Sequence, residues 1–69
     1  MNNDIAAGTW KQLLGTARTA WGKLTDDELV KVEGRAERLV GLIQERYGRT
    51  RDEAEREVRR WFETHGPRH

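Results

Sequence analysis

Sixty-nine residues with 35% hydrophobic side chains and no cysteine make one domain, because a chain this short cannot divide its apolar residues between two cores. Disulfides and thiolate metal sites are excluded as braces, so the core must come from a few large side chains, with Trp10, Trp21, Tyr47, Trp61 and Phe62 the candidates. Thirteen Lys and Arg against 12 Asp and Glu leave a net charge of +1, which excludes nucleic-acid attraction by the chain as a whole and confines it to a local patch.

The opening Met1-Asn2-Asn3-Asp4 carries no basic leader, and no apolar run approaches the ~18–20 residues of a membrane span. The expected location is therefore the cytoplasm, with no transmembrane segment. Trp10, Leu13, Leu14, Ala17 and Trp21 then fall on one face of a 3.6-residue period and predict a first helix. It starts between Asp4 and Trp10, with Asn3 or a Thr9/Gln12 capping box as alternative caps.

Gly22 suits the left-handed position that ends a helix. Immediately after it, Leu24-Thr25-Asp26-Asp27-Glu28-Leu29 forms the sharpest local motif in the chain. Thr25 and Glu28 can cap reciprocally, Leu24 and Leu29 can close as a hydrophobic staple, and Asp26 and Asp27 complement the positive helix end.

From Leu29 the apolar positions Val32, Ala36, Leu39, Ile43 and Tyr47 keep one helical phase, joined by Val40. Periodicity alone permits a single helix here. Gly34 lies inside the span and costs about 1 kcal/mol relative to alanine, so a break is expected there, with a short helix near Asp26–Glu33 and a longer one near Arg35–Tyr47.

Gly48 repeats the stop, and Thr50-Arg51-Asp52-Glu53 opens a last helix whose inward face is Ala54, Val58, Trp61 and Phe62. Asp52 with Arg56, and Glu55 with Arg59, are expected i, i+4 pairs. Gly66-Pro67-Arg68-His69 cannot extend the helix, giving one domain over residues 1–69 with a frayed tail from about 65. No segment alternates with period two, and the fold class is all-α: a compact bundle of short helices. Gly15 and Gly41, inside helices, are expected where another backbone comes close.

Nothing in the chain points to catalysis. It contains no serine or cysteine, which removes the commonest nucleophiles, and the glycines lack the preceding strand that a phosphate-cradling loop requires. His65 and His69 have a metal-ligand spacing, but Gly66 and Pro67 break the helix between them. Asp26, Asp27 and Glu28 diverge around a helix and are accounted for by capping. No catalytic residue, metal, cofactor or small-molecule substrate is expected. The one surface with a binding character is the group Arg46, Arg49, Arg51, Arg56, Arg59 and Arg60, which could touch phosphates, although Glu45, Asp52, Glu53, Glu55, Glu57 and Glu63 are interleaved with it.

The residues Trp10-Lys11-Gln12, Gly15, Trp21-Gly22, Leu24-Thr25-Asp26-Asp27, Gly34, Leu39-Val40-Gly41, Ile43-Gln44-Glu45-Arg46-Tyr47-Gly48 and Ala54-Glu55 together resemble the CsbD-like family of small bacterial stress-response proteins, the YjbJ type included. The likeness runs from Asn2 to Trp61. It implies four helices arranged as two roughly orthogonal hairpins in a SAM-domain-like manner, with a break near Gly34. It further implies a cytoplasmic, non-enzymatic protein of general or osmotic stress, and no catalytic or ligand-binding residue that can be carried over. Relatives often have further lysines in the first helix, where this chain has Thr16-Ala17-Arg18-Thr19-Ala20. The functions expected are contact with an unidentified macromolecule or self-association; weak nucleic-acid binding through the C-terminal arginines; and, behind both, adsorption of amphipathic helices to membranes.

Overall fold

The computed structural model describes residues 4–66, and these form four helices: α1 (Ala7–Ala20), α2 (Asp26–Val32), α3 (Ala36–Tyr47) and α4 (Arg51–His65). The all-α bundle follows the expected order, and the two middle helices end within one residue of the positions read from the sequence. Asn3 as a cap, and the tail Pro67 to His69, lie outside the described residues.

Helix α1 begins without a side-chain cap. Ala6 holds the N-cap position, and Thr9 lies inside the helix instead of capping it. At its other end Gly22 is not left-handed; among the described residues the positive-φ positions are Glu33, Gly34 and Gly48. The chain leaves α1 through Trp21 and turns with a Leu24 N–H bond to the Trp21 carbonyl. Burial of Trp21 and Leu24 on the two sides of this turn directs the exit, so no glycine geometry is needed.

Helix α2 opens as the sequence dictates. Thr25 Oγ1 accepts from the Glu28 amide at 3.1 Å and Glu28 Oε1 accepts from the Thr25 amide at 3.0 Å, while Leu24 and Leu29 are buried as a staple requires. The same reciprocal pair, Thr50 with Glu53, opens α4. Gly48 ends α3 at φ 67° with its amide on the Gln44 carbonyl, as expected of a left-handed stop.

The break between α2 and α3 is complete. Glu33 caps α2 at φ 55° and Gly34 follows at φ 77°; a non-glycine residue held there costs roughly 1–2 kcal/mol. Gly34 is obligatory for a second reason, because a Cβ would stand 2.0 Å from the Ile5 carbonyl oxygen. The N-terminal segment crosses this turn: the Ile5 amide donates to the Gly34 carbonyl at 2.8 Å, and Asp4 Oδ1 accepts from the Ala36 amide at 3.0 Å. Asp4 thereby supplies from a distance the cap that Arg35 lacks. Close backbone approach thus occurs at Gly34. At Gly15 and Gly41, where it was expected, both glycines face open space.

The core gathers the large apolar residues of every helix around the aromatic side chains. Trp10, Trp21 and Trp61 are 2%, 2% and 7% exposed. Trp61 lies 6.0 Å from Trp10, edge to face, and 5.2 Å from Trp21, so it joins the first helix to the last. Trp10 Nε1 donates to the Leu29 carbonyl at 2.8 Å, fastening α1 to α2. Tyr47 packs only partly against this core.

Candidate functional site

Since the tryptophans and Phe62 are withdrawn, the surface chemistry is chiefly that of charge. Arg46, at the end of α3, pairs with Glu28 in the first turn of α2 and with Glu45 at 2.8 Å. The Thr25 amide, and after it Arg46, hold the Glu28 carboxyl below its ordinary range; the bonds to Glu28 and Glu45 raise Arg46 in turn. The Glu53 carboxyl is lowered the same way by the Thr50 amide and hydroxyl. Bonds to the charged form are the common cause.

Arg49, in the loop before α4, reaches Glu57 Oε2 at 2.9 Å, and Glu57 Oε1 accepts from Trp21 Nε1 at 2.8 Å. Glu57 therefore connects the buried indole of α1 with a surface cation, a role that sequence spacing gave no means of finding. Tyr47, expected as a core side chain, has a polar role hidden for a similar reason. Its hydroxyl accepts from the Lys23 amide at 3.1 Å, and Lys23 and Arg49 lie 5.2 and 5.6 Å from its ring, within cation–π range.

Arg51 pairs with Glu55 at 2.8 Å and lies 3.6 Å from Glu37 of α3. Arg56 pairs with Asp52 at 3.2 Å, the expected i, i+4 bridge. Glu55 takes Arg51 in place of the expected Arg59: its partner sits N-terminal to it, and α3 contributes a second acid to the same guanidinium. Among the described residues Arg59 and Arg60 carry no ion pair. Arg49, Arg56 and Arg60 line one shallow groove together with Glu53 and Glu57. The arginines are thus distributed in three directions, toward α2, toward α3 and along α4, with carboxylates between them.

Two of the three acids in the first turn of α2 are likewise occupied, Asp26 by Arg18 and Glu28 by Thr25 and Arg46. No cluster of His, Asp or Glu suited to a metal ion occurs among the described residues; His69 lies outside them, and His65 stacks on Trp61 at 4.7 Å. Among the described residues no helix is long and apolar enough to cross a membrane. Among the described residues the large hydrophobic residue left exposed is Val30, at 52%, beside Trp10 and Leu14 in a shallow depression between α1 and α2.

Residues 4–56, from the Asp4 that caps α3 to the first turns of α4, match the CsbD-like family. The chain belongs to this family. Relatives are similar over nearly their full length. A UPF0337 protein of Bordetella pertussis is 68% identical over 63 residues, covering 91% of this chain and 96% of its own. A UPF0337 protein of Pectobacterium atrosepticum is 54% identical over 65 residues, 94% of each chain, and the UPF0337 protein YjbJ of Escherichia coli K12 is 54% identical over 61 residues, 88% of each. The family match takes in the turns between consecutive helices and the capping boxes at Thr25 and Thr50, while Glu57, Arg59 and Arg60 lie beyond it.

Proposed function

We propose that the chain is a non-enzymatic stress-response protein of the cytoplasm that acts by contact with another macromolecule through its charged helix faces. The observation that carries this reading is the division of labour among side chains: the tryptophans and Phe62 are spent in the core, while ion pairs that bridge helices cover the outside. What remains for a partner is charge and hydrogen bonding on a preformed surface. Such surfaces give specificity and salt-sensitive encounter. Zero-length cross-linking of carboxylates to amines in osmotically stressed bacteria tests it. A discrete adduct that disappears at high salt is expected; a protein that stays uncross-linked in stressed and unstressed cells alike overturns the reading.

A second reading is weak nucleic-acid contact through Arg46, Arg49, Arg51, Arg56, Arg59 and Arg60. Arg59 and Arg60, which have no carboxylate partner among the described residues, favour it. Against it stand Glu53 and Glu57 in the groove with Arg49, Arg56 and Arg60, and the acidic first turns of α2 and α4, which repel phosphate where a helix N-terminus would otherwise attract it. Anisotropy of labelled duplex and single-stranded DNA at ~50 mM salt, where phosphate contacts are strong, decides it. Tryptophan emission would not serve, since the indoles are buried.

A further inference from the structure

We infer that the Glu33–Gly34 turn is a latched hinge, and that releasing it fuses α2 with α3 and lets two copies of this chain exchange their first hairpins. The apolar phase of Leu29, Val32, Ala36, Leu39 and Ile43 runs through the turn without a slip, so one continuous helix from Asp26 to Tyr47 would keep every one of these residues on one face. What prevents that helix is local. Glu33 is left-handed without being glycine, and the N-terminal segment Asp4–Ile5 sits across the turn.

The latch and the fused helix compete for the same atoms, and at the Ala36 amide, which has one proton to give, they exclude each other. In a continuous helix the Gly34 carbonyl would accept from the Arg38 amide and the Ala36 amide would donate to the Val32 carbonyl. In the bent chain the Ile5 amide takes the Gly34 carbonyl, and Asp4 Oδ1 takes the Ala36 amide. The guanidinium of Arg38 caps the cut end of α2 at the Lys31 carbonyl, 3.0 Å away. Straightening requires these bonds to open and replaces them with helical ones.

The occupant of the opened form is a second copy, because only the same sequence offers the surfaces that each half has lost. The α1–α2 hairpin of one copy would meet the α3–α4 hairpin of the other, rebuilding the contacts of Trp10 and Trp21 with Trp61 and of Glu28 with Arg46. Exchange about a short hinge preserves every contact except those of the hinge itself. The inference concerns the chain's own equilibrium and stands whatever the monomer's surface binds.

Sedimentation of the full chain and of single variants across protein concentrations tests it. Gly34→Ala closes the gap that Ile5 needs and favours helix by about 1 kcal/mol, about fivefold per hinge, so with two hinges the dimerisation constant rises by roughly thirtyfold or more. Asp4→Ala moves it in the same direction, and Glu33→Gly, which relieves the left-handed residue, moves it in the opposite one. Because the chain has no cysteine, spin labels at Lys31→Cys and Glu45→Cys, two residues that line one depression in the bent chain, report the hinge directly. With the labelled copy diluted into unlabelled protein carrying Gly34→Ala, the distance within one copy should extend to about 21 Å, from about 1.5 Å of rise per residue. A Gly34→Ala variant that is a folded monomer, that is unfolded at every concentration, or that dimerises with the label distance unchanged overturns the inference. So does a Glu33→Gly variant that dimerises more strongly.

Discussion

At the scale of single residues, glycine shows how one residue type serves opposite ends. Gly34 is fixed by a positive φ and by the Ile5 carbonyl, whereas a Cβ on Gly15 or Gly41 would meet nothing within 4 Å, and each of these lies inside a helix. Gly15→Ala and Gly41→Ala should therefore each stabilise the fold by about 0.5–1 kcal/mol, since alanine removes backbone freedom from the unfolded chain and strains nothing. Urea midpoints that rise with an unchanged m-value would bear this out, and a fall would show a neighbour closing on those positions in solution. Trp21→Phe acts differently, leaving the Glu57 carboxylate without its indole donor. A loss of about 1.5–3 kcal/mol is expected for a bond to a charged group. Glu57→Gln, which keeps an acceptor oxygen, should lose less in the same denaturation series.

At the scale of elements, the two capping boxes make α2 and α4 depend on ionised carboxylates. Thr25→Ala and Thr50→Ala should each cost about 1 kcal/mol. The carboxyls of Glu28 and Glu53 lie lower in the folded chain than their ordinary 4.5, so the stability they add is fully present above that value. It drains away as pH falls below it and through the folded-state value. Acid unfolding followed by circular dichroism should accordingly cost the Glu28→Gln variant, which keeps an acceptor for the Thr25 amide but cannot ionise, less stability between neutral and acid pH than it costs wild type. A curve that overlays the wild type would mean that the box contributes nothing through ionisation. These starts were legible in the sequence because Thr-x-x-Glu places both partners within one turn. Both ends of α1 fall where the sequence places them, Ala7 between Asp4 and Trp10 and the stop at Trp21. The devices were not legible, because nothing near Ala6 caps the start and burial of Trp21 and Leu24, not a left-handed Gly22, directs the turn at the end. The break at Gly34 could be read from its interruption of a helical phase. Its cause could not, since Asp4 and Ile5 reach it from far along the chain. The arginine group shows the same limit: the interleaved acids gave away a mixed-charge face, but the Arg46–Glu28 and Arg49–Glu57 partnerships join separate elements and follow no spacing rule.

At the scale of the molecule, the first and last helices are held together by aromatic rings instead of by the short connections that pair neighbouring helices. A radius of gyration of 10.8 Å matches the ~11 Å of a folded chain this long, so little slack surrounds those rings. Trp61 touches Trp10, Trp21 and Phe62 at once, so cutting it back removes a partner from all three. Trp61→Ala should cost about 3–5 kcal/mol, as much as a core of this size supplies in total. The whole chain should consequently unfold together, with no surviving pair of helices. Helicity by circular dichroism and burial of Trp10 and Trp21 by emission wavelength should be lost in parallel. A variant that kept the emission of buried indoles, or half its helix, would show instead that the two hairpins are separately stable and only loosely joined.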